Sequence, residues 1–239
     1  MESQQLSPST VPPPAVPWTL RDVWIGLGLL VLWFVLAMGG VLLVRFLDLG
    51  LDVGLVITLL EALLLLPAWW LTVRKYKVGL GSLGFRRFRA IMLLLAVGLL
   101  LVAYTFNLVY ALIMALLGVG PNLDLVNLVS ELEHPWLLAL GAIVIAPLAE
   151  EIFFRGFVFA GLRERLGWVK AGLISAALFS LLHLQPVQIV PIFVLGFLFA
   201  LIYEKSRSLW PAIAMHAAIN TIGFAAAYFV SQMDILPMG

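Results

Sequence analysis

Residues 146–156 read APLAEEIFFRG, which places Glu150, Glu151 and Arg155 inside an apolar run spanning about 136–162. Roughly 20 apolar residues suffice to cross the hydrocarbon core of a bilayer as a helix. A charge at the bilayer centre costs about 2.5–3.5 kcal/mol on insertion scales, so such residues turn toward a bundle interior and mark a site. Two later apolar runs repeat the pattern, with Phe179 and His183 in FSLLH and His216 and Asn220 in HAAIN.

The whole chain fits that environment. Of its 239 residues 63% are hydrophobic and 11% charged, with a mean hydropathy of +1.11. A soluble domain is nearer half apolar and about a quarter charged. The fold class expected is all-α, a polytopic membrane helical bundle. About seven transmembrane helices are predicted, at 23–46, 53–73, 90–118, 136–162, 169–185, 187–204 and 209–231. The fifth and sixth meet in a tight hairpin at Gln185-Pro186. Residues 1–20 are polar and Pro-rich and are expected to form a disordered cytoplasmic tail. Residues 21–135 then hold the N-terminal transmembrane helices and loops, and 136–232 the core that carries the site. A net charge of +1 gives no basic field for nucleic acid, and the absence of cysteine removes thiolate nucleophiles and Cys-held metals.

Basic residues set the orientation, because cytoplasmic loops carry the excess of Lys and Arg. Twelve of the fourteen fall on one side: Arg21, the loop 74–89, the turn 163–170 and the turn 205–208. The opposite side holds Asp48, Asp52, Asp124, Glu131 and Glu133 with Arg45 alone. The N-terminus is therefore expected in the cytoplasm and the C-terminus outside. Size and the Pro-rich start suit an integral protein of a bacterial inner membrane.

Helical spacing sorts the site residues. Glu151 and Arg155 are four apart and can pair on one face, which leaves Glu150, about 100° round the helix, as the spare carboxylate. Desolvation suits such a group to act as a base. Pro147 deletes a backbone hydrogen bond and is expected to kink the helix. Each piece has a purely structural alternative: a packing ion pair, an interfacial histidine, or interhelical bonds worth about 0.6 kcal/mol each. Convergence of three neighbouring stretches favours one shared pocket. Counted from the expected span ends, however, Glu150 and His183 lie about twice as deep as His216, at about 1.5 Å per residue. Glu61 and Asn107 have no sequence partner, and Glu61 is read as pairing within the bundle or staying neutral. Gly156, Gly161 and Gly172 are expected at close helix approaches.

Glu150-Glu151-Ile-Phe-Phe-Arg155, Phe179-Ser-Leu-Leu-His183 and His216-Ala-Ala-Ile-Asn220 resemble the EExxxR, FxxxH and HxxxN motifs of the CPBP family. That family comprises the membrane-embedded CAAX proteases and bacteriocin-processing, Abi-type enzymes. The resemblance covers roughly 136–231. It implies an intramembrane endopeptidase acting on membrane-associated or lipidated peptides, by CAAX-type or leader-peptide processing. Carried onto this chain, Glu150 would be the general base and His183 would help bind and activate water. His216 and Asn220 would donate to the oxyanion, with Glu151, Arg155 and Phe179 in support. Family members are often described as metalloproteases, so zinc stays open. If a metal binds, Glu150, His183 and His216 are its expected ligands. Two other classes remain: an ion- or proton-coupled transporter, and a non-catalytic scaffold or immunity protein.

Overall fold

The computed structural model describes residues 16–233, and every regular element among them is helical. We number them α1 (Leu20–Phe46), α2 (Val53–Arg74), α3 (Ile91–Leu116), α4 (Asp124–Glu131), α5 (135–166), α6 (168–182), α7 (Pro186–Ser206) and α8 (Trp210–Ser231). Six helices are long and apolar enough to cross a membrane, and the chain is an integral membrane protein. Seven were expected. The difference is one of continuity, because α5 and α6 run on as one 48-residue segment, Pro135–Leu182. Gly167 breaks it, with φ 74 and ψ 161. That backbone region is essentially reserved for glycine. The chain reverses there, and Ser175 returns to donate to the Phe154 carbonyl at 3.0 Å.

The expected tail begins to pack earlier than the sequence suggests. Val16 N–H donates to Glu164, buried Trp18 donates its indole N–H to the Phe157 carbonyl, and Thr19 caps α1 with Asp22 in a reciprocal capping box. Residues 16–20 therefore belong to the folded body, and the rest of the expected tail, 1–15, lies outside the described residues. Buried Asp22 also accepts from Lys75 and Tyr76 just beyond α2, which ties the start of α1 to the end of α2. Its hydrogen bond raises the Lys75 pKa above the ordinary value.

Small residues bring α2 onto α5. Gly54 abuts Leu138, Gly141 abuts Thr58, and the Thr58 hydroxyl reaches the Leu137 carbonyl at 2.9 Å. With no hydrophobic drive between helices in lipid, such close backbone approach supplies the packing. Gly54, Thr58 and Glu61 follow at helical spacing, so Glu61 turns inward with them. Gly156, Gly161 and Gly172 likewise sit against Leu83, Trp18 with Val23, and Phe197.

The apparent mismatch in depth disappears. Gly156 lies against Leu209, the residue that precedes α8. Going six positions back along α5 from Gly156 reaches Glu150, and His216 opens the seventh position of α8. The last turns of α5 simply run past the start of α8. Counting from span ends had placed that boundary too far along α5.

Candidate active site

Two widened turns frame the carboxylates. Gly141–Ile145 and Ile152–Phe159 are wound as π-helix, and Ala146–Glu151 between them is α-helical. Single π turns inside α-helices are frequent at functional sites. The first has a sequence cause. Ala146 N–H bonds to the Gly141 carbonyl five residues back, and Pro147, next in that register, has no N–H for Ala142. The orphaned Ala142 carbonyl is satisfied by the Asn220 side-chain amide at 2.7 Å. Pro147 thus widens the turn and creates a socket for α8.

Glu151 and Arg155 form the buried pair expected from their spacing, both with fully buried side chains. Arg155 Nη1 donates to Glu151 Oε1 at 3.0 Å, and its Nη2 to the Gly196 carbonyl at 2.9 Å. Three rings enclose the guanidinium, with Cζ 4.5 Å from the centroid of Phe179, 5.1 Å from Phe199 and 5.8 Å from Phe154. A desolvated cation over aromatic faces gains about 2 kcal/mol, which offsets part of the cost of burying it.

His216 joins the two acids. Its Nδ1 faces Glu151 Oε1 at 3.0 Å, and its Nε2 stands 3.6 Å from Glu150 Oε2. The ring stacks on Phe199, with centroids 4.7 Å apart, and meets Phe179 edge-on. Glu150 is the spare carboxylate, as its spacing predicted: buried Oε2 has no hydrogen-bond partner among the described residues.

His183 follows the last turn of α6. Its Nδ1 donates to the Phe179 carbonyl at 2.9 Å, since a carbonyl can only accept, and Nε2 is left free. Phe179 therefore touches Arg155, His183 and His216 at once, and fixes the distances among three helices.

The residues divide between two adjoining cavities. One of about 200 Å³ is lined by Glu61, Glu150 and His183 with Trp33, Phe34 and Phe154. Another of about 320 Å³ is lined by His183, His216 and Asn220 with Ala142 and Phe199. Phe179 and His183 line both and form the wall between them. This departs from the single pocket expected. Asn220 has a further task, because one amide hydrogen serves the backbone that Pro147 left unpaired, while its side chain lines the same cavity as His216. Nor do Glu150, His183 and His216 meet as a ligand set: no three His, Asp or Glu side chains among the described residues do so.

Several contributors escaped the sequence. Phe199 and Gly196 lie in FVLGFLF, where nothing separates them from other bundle residues. Glu61 was visible as a buried acid that pairs within the bundle or stays neutral; no hydrogen-bond partner meets its buried Oε2 among the described residues, and it lines the same cavity as Glu150.

Residues 132–222 match the family model described as type II CAAX prenyl endopeptidase Rce1-like. Among curated proteins, a Bacillus subtilis (strain 168) protein with the provisional name membrane peptidase YdiL is 30% identical over 102 residues, 43% of this chain and 39% of that one. UPF0177 protein YxdF of Lactococcus lactis subsp. lactis (strain IL1403) is 30% identical over 84 residues, 35% and 46% of the two chains. This chain thus spans less than half the length of either relative. No solved structure matches it. The family match encloses all three motifs and the two π turns of α5, and over that segment the chain is similar to the Rce1-like proteins.

Proposed function

We propose that the protein is an intramembrane endopeptidase that hydrolyses peptide bonds with water activated by Glu150. One observation carries the reading: a carboxylate with a buried oxygen free of hydrogen bonds faces an imidazole that a second carboxylate orients, beside a cavity of about 200 Å³. Glu150 takes the proton from water, which His183 Nε2 helps to hold. A positioned base of this kind contributes about 10²–10⁴-fold. As the water oxygen attacks, negative charge develops on the former carbonyl oxygen. His216, oriented by Glu151 at Nδ1, turns Nε2 toward this charge. Preorganised donors act most strongly where charge appears only in the transition state. Asn220 retains a second amide hydrogen, beyond the one given to Ala142, for the same oxygen. Glu151, Arg155 and Phe179 hold His216 and His183 in place.

Access from the bilayer fits the lining. The cavity beside His216 shares Gln188, Ile192, Leu195 and Ile219 with a larger groove of about 530 Å³, which α3 and α7 border. A lipidated or membrane-spanning peptide can approach through it from the bilayer, which we read as a bacterial inner membrane. CAAX-type and leader peptides both satisfy that chemistry.

Purified protein in liposomes, offered fluorogenic myristoylated and membrane-spanning peptides, is expected to cleave them, and Glu150→Gln to lose about 10²–10⁴-fold while still folding. Equal rates for the two proteins would remove Glu150 from its role. Cleavage lost to a chelator and restored by zinc would instead put a metal on Glu150, His183 and His216. Comparative proteomics of membranes holding wild-type or Glu150→Gln protein would identify natural substrates.

A further inference from the structure

The hydrolytic reading gives the water a base but leaves the departing amine without a proton donor. Glu61 stands where such a donor is needed. One wall of the 200 Å³ cavity comes from α1 and α2, through Trp33, Phe34, Glu61 and Leu64; the other comes from α5 and α6, through Glu150, Phe154, Phe179, Leu182 and His183. The indole N–H of Trp33 is already given to the Leu60 carbonyl at 2.7 Å. A polar molecule in the cavity therefore meets three ionisable partners only, Glu61, Glu150 and His183, and no other titratable group lines it among the described residues.

We propose that Glu61 is the general acid of this site, a carboxyl that shares one proton with Glu150 across the cavity and passes it to the leaving amine. Two carboxylates in one apolar chamber do not both ionise cheaply, so one holds a proton while the other is free to act as base. Charge points the same way. Arg155 balances Glu151, to which it is bonded, and among the described residues no Lys or Arg lines the cavity with Glu61. The Nδ1 proton of His183 is already committed to the Phe179 carbonyl.

The steps balance. Water loses a proton to Glu150 as its oxygen bonds to the peptide carbon and the carbonyl pair moves onto oxygen. The C–N bond then breaks, and the nitrogen takes the proton of Glu61. The proton held by Glu150 crosses to the Glu61 carboxylate, which restores the starting state. Peptide and water have become acid and amine.

Because this assignment rests on the hydrolytic reading, the test separates the two. A fluorogenic myristoylated peptide and the p-nitrophenyl ester of its acyl half differ in whether the leaving group needs a proton. Glu61→Gln keeps size and hydrogen bonding but cannot donate that proton. It is expected to cleave the peptide about 100-fold or more slowly in kcat with KM unchanged, and the ester at close to the wild-type rate. Glu61→Asp is expected to recover part of the peptide activity. Glu150→Gln should lose both substrates. Wild-type peptide cleavage by Glu61→Gln overturns the assignment, and so does an equal loss on peptide and ester. If the glutamine variant fails to fold, the aspartate variant carries the same comparison. Unimpaired cleavage of both substrates by Glu150→Gln would overturn the hydrolytic reading itself, whatever Glu61 does.

Discussion

Single side chains at this site are held by partners that cost energy to bury alone. Arg155 is fully buried, and the carboxylate, carbonyl and three rings around it compensate its desolvation. Removing one member of a buried pair typically costs about 3–5 kcal/mol, whereas replacing both by apolar residues of similar size can be nearly neutral. Arg155→Met is thus expected to lower stability in detergent by about that amount, and Glu151→Leu with Arg155→Met by much less. Thermal unfolding of the two proteins checks this. Activity should fall in both: the double variant removes the oxygen that orients His216 Nδ1, and Arg155→Met removes the cation that holds that oxygen in place. Stability and catalysis come apart in the double variant, which distinguishes a support role from mere packing.

At the level of elements, α5 owes its shape to a few backbone features. The wide turn at Gly141–Ile145 and the Asn220 bond to Ala142 both trace to Pro147. Asn220→Ala should destabilise the fold by about 0.6–1.7 kcal/mol, the range of side-chain bonds in membrane bundles. Adding Pro147→Ala restores an N–H that can satisfy Ala142 from within the helix. The two changes are therefore expected to cost less together than the sum of their separate effects, a coupling that a double-mutant cycle measures. Gly167 is a different case. A Cβ there meets nothing within 4 Å, yet φ is +74. Gly167→Ala should cost about 1–3 kcal/mol through backbone strain alone. A neutral result in an unfolding measurement would mean that the α5–α6 reversal tolerates another conformation.

For the whole molecule, the absence of native cysteine makes topology directly testable. Lys77→Cys lies in the basic loop and Asp124→Cys at the start of α4, on opposite sides by the distribution of Lys and Arg. A membrane-impermeant maleimide added to intact cells is expected to label Asp124→Cys and to leave Lys77→Cys unmodified until the cells are broken. The reverse pattern would invert the orientation. The same sidedness puts the groove bordered by α3 and α7 in the outer half of the bundle, since its lining includes Met114, Gly120, Pro121 and Gln188. Leu195→Trp, at the junction of that groove with the His216 cavity, is expected to slow cleavage of myristoylated peptide while sparing a short soluble ester.

The sequence by itself determined the elements and the polar residues set within them. Hydropathy located the membrane helices, because lipid tolerates few alternatives to a long apolar helix. Spacing along one helix paired Glu151 with Arg155 and left Glu150 spare, because residues four apart share a face. Three motifs named the remaining site residues. What lay between helices was not legible. Nothing in the chain order says that α5 overruns the start of α8, that Asn220 answers a carbonyl freed by Pro147, or that Phe179 and His183 divide the site into two chambers. Those depend on helix offset and on which backbone groups stay unpaired, quantities fixed only once the helices pack. Glu61 shows the boundary most clearly: its sequence announced a buried acid, and only the tertiary structure set it facing Glu150.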